Sequence, residues 1–101
     1  MKDKLLSYMG FARKSGNLIS GSNTCAFSMK KGKVRLLLIA EDASENTKEK
    51  MTSEAKASNV PVRIFGDSGE MSRAVGESGR TVFGITDGNF AQVIKKEIEE
   101  A

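Results

Sequence analysis

The sequence predicts an α/β protein, a three-layer α/β/α sandwich with a central sheet of about four strands. Three observations carry that expectation. Segments with apolar residues at helical spacing alternate with short apolar runs after residue 20. One run, "VRLLLIA" over 34–40, has five apolar residues in its last six, the pattern of a strand buried on both faces, as in a parallel sheet. Right-handed crossovers would then place helices on both faces of that sheet. With 101 residues, 39% of them hydrophobic, the chain makes one small domain, residues 1–101.

Each element has a local reason. Leu5, Leu6, Met9 and Ala12 recur at helical spacing, so residues 3–14 read as a helix ending near Gly16. "NLIS" has room only for a small strand. A second helix begins at Gly21 or Ser22, turns Cys25, Ala26 and Met29 to one side, and stops at Gly32. After strand 34–40, Ser44 is a cap for a helix that buries Met51 and Ala55. "VPVRIFG" is the next strand, with Pro61 at its start, where a missing N–H does no harm. Ser68 is expected to cap a short helix carrying Met71, Ala74 and Val75. "ESGR", residues 77–80, is a loop, and "TVFGIT" is the last strand. Asp87 and Asn89 are both candidate caps for a final helix with Phe90, Val93, Ile94 and Ile98.

Composition excludes several chemistries. The chain has no histidine and one cysteine, Cys25, so a Ser-His-Asp triad and Cys/His zinc sites have no residues to build them. "GDSGE" at 66–70 is therefore a turn, and no enzyme activity and no cofactor are expected. No apolar run approaches the roughly 20 residues of a membrane span, and the N-terminus lacks a signal-peptide pattern. A cytoplasmic location follows as the default. The net charge of +3 is unevenly spread: residues 1–35 hold eight Lys or Arg against Asp3 alone, and residues 36–101 hold eight bases against twelve acids. That polarity suggests one basic face, suited to nucleic acid, and one acidic face; a solvated Lys-rich surface is the plainer alternative.

Two loops stand out as places where a ligand can approach the backbone. One is the start of the second helix, Gly21, Ser22, Asn23 and Thr24. The other is Glu77, Ser78, Gly79 and Arg80. Both are rich in small residues, and in this architecture they can fall at one end of the sheet. Asn23 reads as a helix cap alone or as a cap that also contacts a ligand. Phe27 lies out of phase with Cys25 and Met29, so it is either exposed for stacking or packed on the first helix. Glu41 and Asp42, at a strand's end, are placed to bind a metal, to cap the next helix or to edge the site. Neither loop is a nucleotide-binding motif.

Taken together, "GSNTCAFSMKKGKVRLLLIAEDAS", "NVPV" and the Gly76 region resemble the L-seven-Ae ribosomal protein family, with the closer match in its bacterial YlxQ-like branch. The resemblance runs from about Leu5 to Phe90. It implies an α/β/α sandwich that binds structured RNA at a kink-turn, a duplex bent at tandem G·A pairs, with ribosomal RNA among the candidates. It also implies that the start of the second helix enters the RNA groove. Gly21 and Ser22 then allow close approach, Asn23 contacts a base edge or backbone, Lys31 faces phosphate, and the loop Glu77 to Arg80 shields extruded nucleotides. Thr24 stands where many members have Glu, and Phe27 where many have Lys. An alternative is thus a protein-interaction module on the same fold that has lost RNA binding. The expected state is a monomer.

Overall fold

The computed structural model describes residues 2–100. Five helices and four strands follow one another as α1 (Lys2–Lys14), β1 (Leu18–Ser20), α2 (Ser22–Lys30), β2 (Leu36–Ile39), α3 (Glu45–Ala57), β3 (Val62–Ile64), α4 (Ser68–Ala74), β4 (Val82–Ile85) and α5 (Gly88–Glu99). The expected alternation of helix and strand is present, and the sheet has four strands.

The sheet is not parallel throughout, contrary to the reading from β2. The strand order is β1-β4-β2-β3, and β4 runs antiparallel to both β1 and β2, leaving β2 and β3 as the parallel pair. Burial on both faces shows that helices cover a strand. It does not reveal the direction of its neighbours.

Alternation along the strands divides the core. Leu36, Leu38 and Ala40 face one layer, with Phe83 and Ile85, where they meet Leu5, Met9 and Ala12 of α1, Met71 of α4 and Ile94 of α5. Leu37, Ile39 and Val82 face the other, against Cys25 and Met29 of α2 and Met51 and Ala55 of α3. Gly84 lets α2 approach the sheet, because a Cβ there would lie 3.4 Å from Cys25 Sγ and 3.1 Å from Ile19 Cγ1. Cys25 is fully buried, as its helical phase predicts.

The helix ends correct three readings. Ser44 caps α3, accepting from the Thr47 amide at 3.1 Å. At α4, however, the cap is Asp67, which accepts from the Glu70 amide at 3.0 Å, and Ser68 is the first helical residue. Asp87 caps α5 through the Phe90 amide at 2.9 Å, and Asn89 lies inside the helix. In each case the carboxylate stands three residues before the amide it accepts from, the usual capping separation. The third correction is at α2, where Asn23 is not the cap: that position is held by Gly21, with no side-chain hydrogen bond.

The bases of residues 1–35 do not lie on one helix layer. Lys4, Arg13 and Lys14 belong to α1, and Lys30 belongs to α2 across the sheet. The expected single basic face is thus two basic stretches on opposite layers.

Candidate nucleic-acid interface

The register of the sheet gathers the candidate residues. Ser20 pairs with Phe83, and Ile39 pairs with Val82. One step further, the Gly21 amide donates to Val82 O at 2.9 Å, and the Ala40 amide donates to Thr81 O at 2.9 Å. The ends of β1 and β2 therefore flank the start of β4. Gly21, Arg80 and Glu41 follow at a common edge.

Gly21 sits at φ 101° and ψ 141°, a region open to glycine and strained for residues with a Cβ. The bend allows β1 to end and α2 to begin within one residue. The Cys25 amide closes the first turn onto Gly21 O at 3.0 Å. Among the described residues, the amides of Ser22, Asn23 and Thr24 have no acceptor. They are the uncovered donors of a helix N-terminus, with its partial positive charge. The starts of α3, α4 and α5 all carry side-chain caps; that of α2 does not.

Arg80 lies against this start. A Cβ on Gly21 would be 3.0 Å from Arg80 Nη1, so glycine is what lets the guanidinium press against the helix entrance. Arg80 Nη2 donates to Glu77 Oε1 at 3.4 Å, whereas Arg80 Nε is buried with no acceptor among the described residues. Glu77 also takes an ion pair from Arg13 Nη2 at 3.7 Å. The loop itself turns through Gly76 and Gly79, at φ 74° and 70°, and exposes Ser78 and Gly79.

Sequence reasoning missed Ser72. Its side chain, 1% exposed, donates to Arg80 O at 3.0 Å and accepts from the Arg80 amide at 3.0 Å. The hydroxyl thus pins the loop from beneath. A serine within a short helix ordinarily reads as a side chain turned to water; only the loop folding back over α4 gives it a role.

Asn23, Thr24, Phe27 and Lys31 form an exposed stripe along α2, at the three- and four-residue spacing of one helix face. Phe27 is 61% exposed, which removes the packed alternative, and Lys31 Nζ lies 4.4 Å from its ring centroid. Lys31 is the C-cap of α2, about 14 Å along the axis from the opening at 1.5 Å per residue. The opening and the stripe are thus two parts of one surface.

Glu41 is exposed, and its amide donates to Gly66 O at 2.9 Å. Asp42 has a different task. It accepts from the Ser68 hydroxyl at 2.6 Å and from the Ser68 amide at 2.9 Å, and these bonds hold its carboxyl below the usual range. Asp42 tethers the start of α4, and among the described residues no group of three or more His, Cys, Asp or Glu is placed to hold a metal ion.

A four-stranded sheet between two helix layers is the α/β/α sandwich that the resemblance implied. Residues 3–95 match the Ribosomal protein L7Ae/L30e/S12e/Gadd45 family, and the chain belongs to that family. Among its relatives, an RNA-binding protein YlxQ from Enterococcus faecium is 33% identical over 98 residues, covering 97% of this chain and 94% of that one. The RNA-binding protein YlxQ of Bacillus subtilis (strain 168) is 29% identical over 83 residues, covering 82% and 83%. A solved protein of unknown function from Bacillus halodurans C superimposes with a TM-score of 0.91 at 28% identity, covering 95% of this chain and 97% of that one. A 15.5kD RNA binding protein from Giardia lamblia, 22% identical, shares the fold with a TM-score of 0.78 over 98% and 88% of the two chains.

Proposed function

We propose that the protein is a non-enzymatic RNA-binding protein that recognises kink-turn or similarly bent RNA as a cytoplasmic monomer. Ribosomal RNA is a fitting source of such a target. The observation that carries the reading is the α2 entrance: three amides without acceptors, at a helix start that has no side-chain cap, with the Arg80 guanidinium against it. Family membership and the names of the relatives support it.

The chemistry follows from the donors. The Ser22, Asn23 and Thr24 amides and Arg80 meet phosphate oxygens or base acceptors at the bend. The Asn23 side chain offers both an acceptor and a donor to a base edge. Glu41 adds an acceptor for base N–H groups at the neighbouring edge. A bent RNA exposes base edges to such groups, whereas the A-form major groove is too narrow for side chains. Phe27 and Lys31 carry the contact along α2, through stacking and charge. Ser78 and Gly79 cover the nucleotides turned out at the kink.

The test is a gel-shift titration of a kink-turn RNA against a straight duplex of equal length. Tighter binding to the kinked RNA is expected. Equal affinity for both reduces the site to a general cationic surface, and binding to neither returns the chain to the protein-interaction alternative.

A further inference from the structure

A groove of about 550 Å³ separates α1 from α4, outside the residues assigned above, walled by Leu6, Gly10, Phe11, Lys14, Arg73 and Ala74. The two helices meet closely at Gly10, where a Cβ would lie 3.1 Å from Ala74 O. Beside that contact Phe11 is 58% exposed. Lys14 and Arg73, both exposed, stand in the last turns of their helices. Glu70 lines the groove as well, so the charge at its rim is mixed but leans positive.

The groove is linked to the α2 entrance. Arg13, next to Lys14, pairs with Glu77, and Glu77 accepts from Arg80, which presses on Gly21. A guanidinium–carboxylate–guanidinium chain thus joins the end of α1 to the first site.

We propose that this groove is a second RNA subsite that takes an unpaired nucleotide, with its base against Phe11 and its flanking phosphates at Lys14 and Arg73. The assignment rests on the RNA reading given above. An exposed ring sharing a groove with two cations suits the bases and phosphates of a single strand, where stacking and charge act together. An acidic peptide would satisfy the cations but has no obligatory planar group for Phe11. Continuity with the α2 entrance gives the strand a path: from the kink, past Arg80 and Arg13, into the groove.

The test uses a labelled single-stranded RNA hexanucleotide, followed by fluorescence anisotropy at low salt, with wild type, Phe11→Ala and Asn23→Ala. Melting of Phe11→Ala verifies its fold; as an exposed residue its truncation leaves the core intact. Phe11→Ala should weaken hexamer binding roughly 5- to 150-fold, the range for loss of one base–aromatic stack. Asn23→Ala should leave it unchanged, and Phe11→Ala should bind a tailless kink-turn RNA like wild type. If wild type fails to bind the hexamer, or Phe11→Ala binds it equally well, the subsite does not exist. Displacement of the hexamer by deca-glutamate at equal charge concentration would mark a general anion surface and overturn the base assignment. Loss of kink-turn recognition with Phe11-dependent hexamer binding retained would refute the first reading and uphold this one.

Discussion

Replacing Asn23 by alanine separates folding from recognition. Asn23 occupies the second position of α2, exposed, and its side chain makes no hydrogen bond with the described residues. Gly21 holds the cap position, so the roughly 1 kcal/mol that a lost side-chain cap would cost is not at stake. Alanine is the better helix former, by up to about 0.7 kcal/mol. In a domain of this size 1 kcal/mol moves Tm by roughly 4–8 °C, so Tm should hold or rise by at most about 5 °C. Binding should move the other way. Loss of a base-directed contact costs roughly 1–3 kcal/mol, a Kd raised about 5- to 150-fold for the kinked RNA. The straight duplex, held through phosphates, should change by less than about twofold. Thermal melting and gel-shift titration of one variant decide the matter. A variant that melts several degrees earlier would show that Asn23 supports the helix after all. One that binds kinked RNA as tightly as wild type would remove Asn23 from the interface.

Three further outcomes are expected. Affinity for RNA should fall as salt rises, with a log–log slope of about 0.7–0.9 per phosphate contacted; a flat titration would contradict a site built on amides, Arg80 and lysines. Cys25 is buried, and burial pushes its thiol up to about 12, so a thiol reagent should react slowly with the native protein near pH 8 and quickly in urea; equal rates would contradict the packing of α2 on Gly84. Ser72→Ala removes the hydroxyl that serves both the Arg80 amide and its carbonyl, and urea denaturation should register a loss of roughly 1–3 kcal/mol, with weaker RNA binding as the loop loosens. Unchanged stability would mean that water replaces the hydroxyl.

Much of the fold was legible because local signals and tertiary demands agree. The spacing of Leu5, Met9 and Ala12 marked α1, and the phase of Cys25 and Met29 marked the inner face of α2. Gly32 ends α2 as expected: it lies at φ 71°, with its amide donating to Met29 O at 3.0 Å. What failed was what no local pattern encodes. Nothing within "TVFGIT" tells β4 that it will insert between β1 and β2 and run against both. Ser68 lost the cap of α4 to Asp67, one residue earlier, because both residue types suit that position.

The candidate site was legible as two loops. That they meet was an inference from architecture, and the pairing of Gly21 with Val82 and of Ala40 with Thr81 realises it. Its supports were hidden because they are distant in sequence. Arg13 and Glu77 are brought together only by the packing of α1 on α4, and Ser72 acquires its function from a loop that closes over it. The cap was misread for a more instructive reason. Asn is a favoured capping residue, but the chain placed glycine there instead, and the donors a side chain would have covered remain open.

Those open donors are the centre of the account, and amide NMR measures them directly. In a titration of the isotope-labelled protein with kink-turn RNA, the Ser22, Asn23 and Thr24 amide protons should shift downfield and exchange more slowly as they gain acceptors. The amides capped by Ser44, Asp67 and Asp87 should stay in place. Unmoved resonances at 22–24, in a sample where RNA binding is saturated, would show that the RNA sits elsewhere on the protein and would contradict the assignment of the α2 entrance.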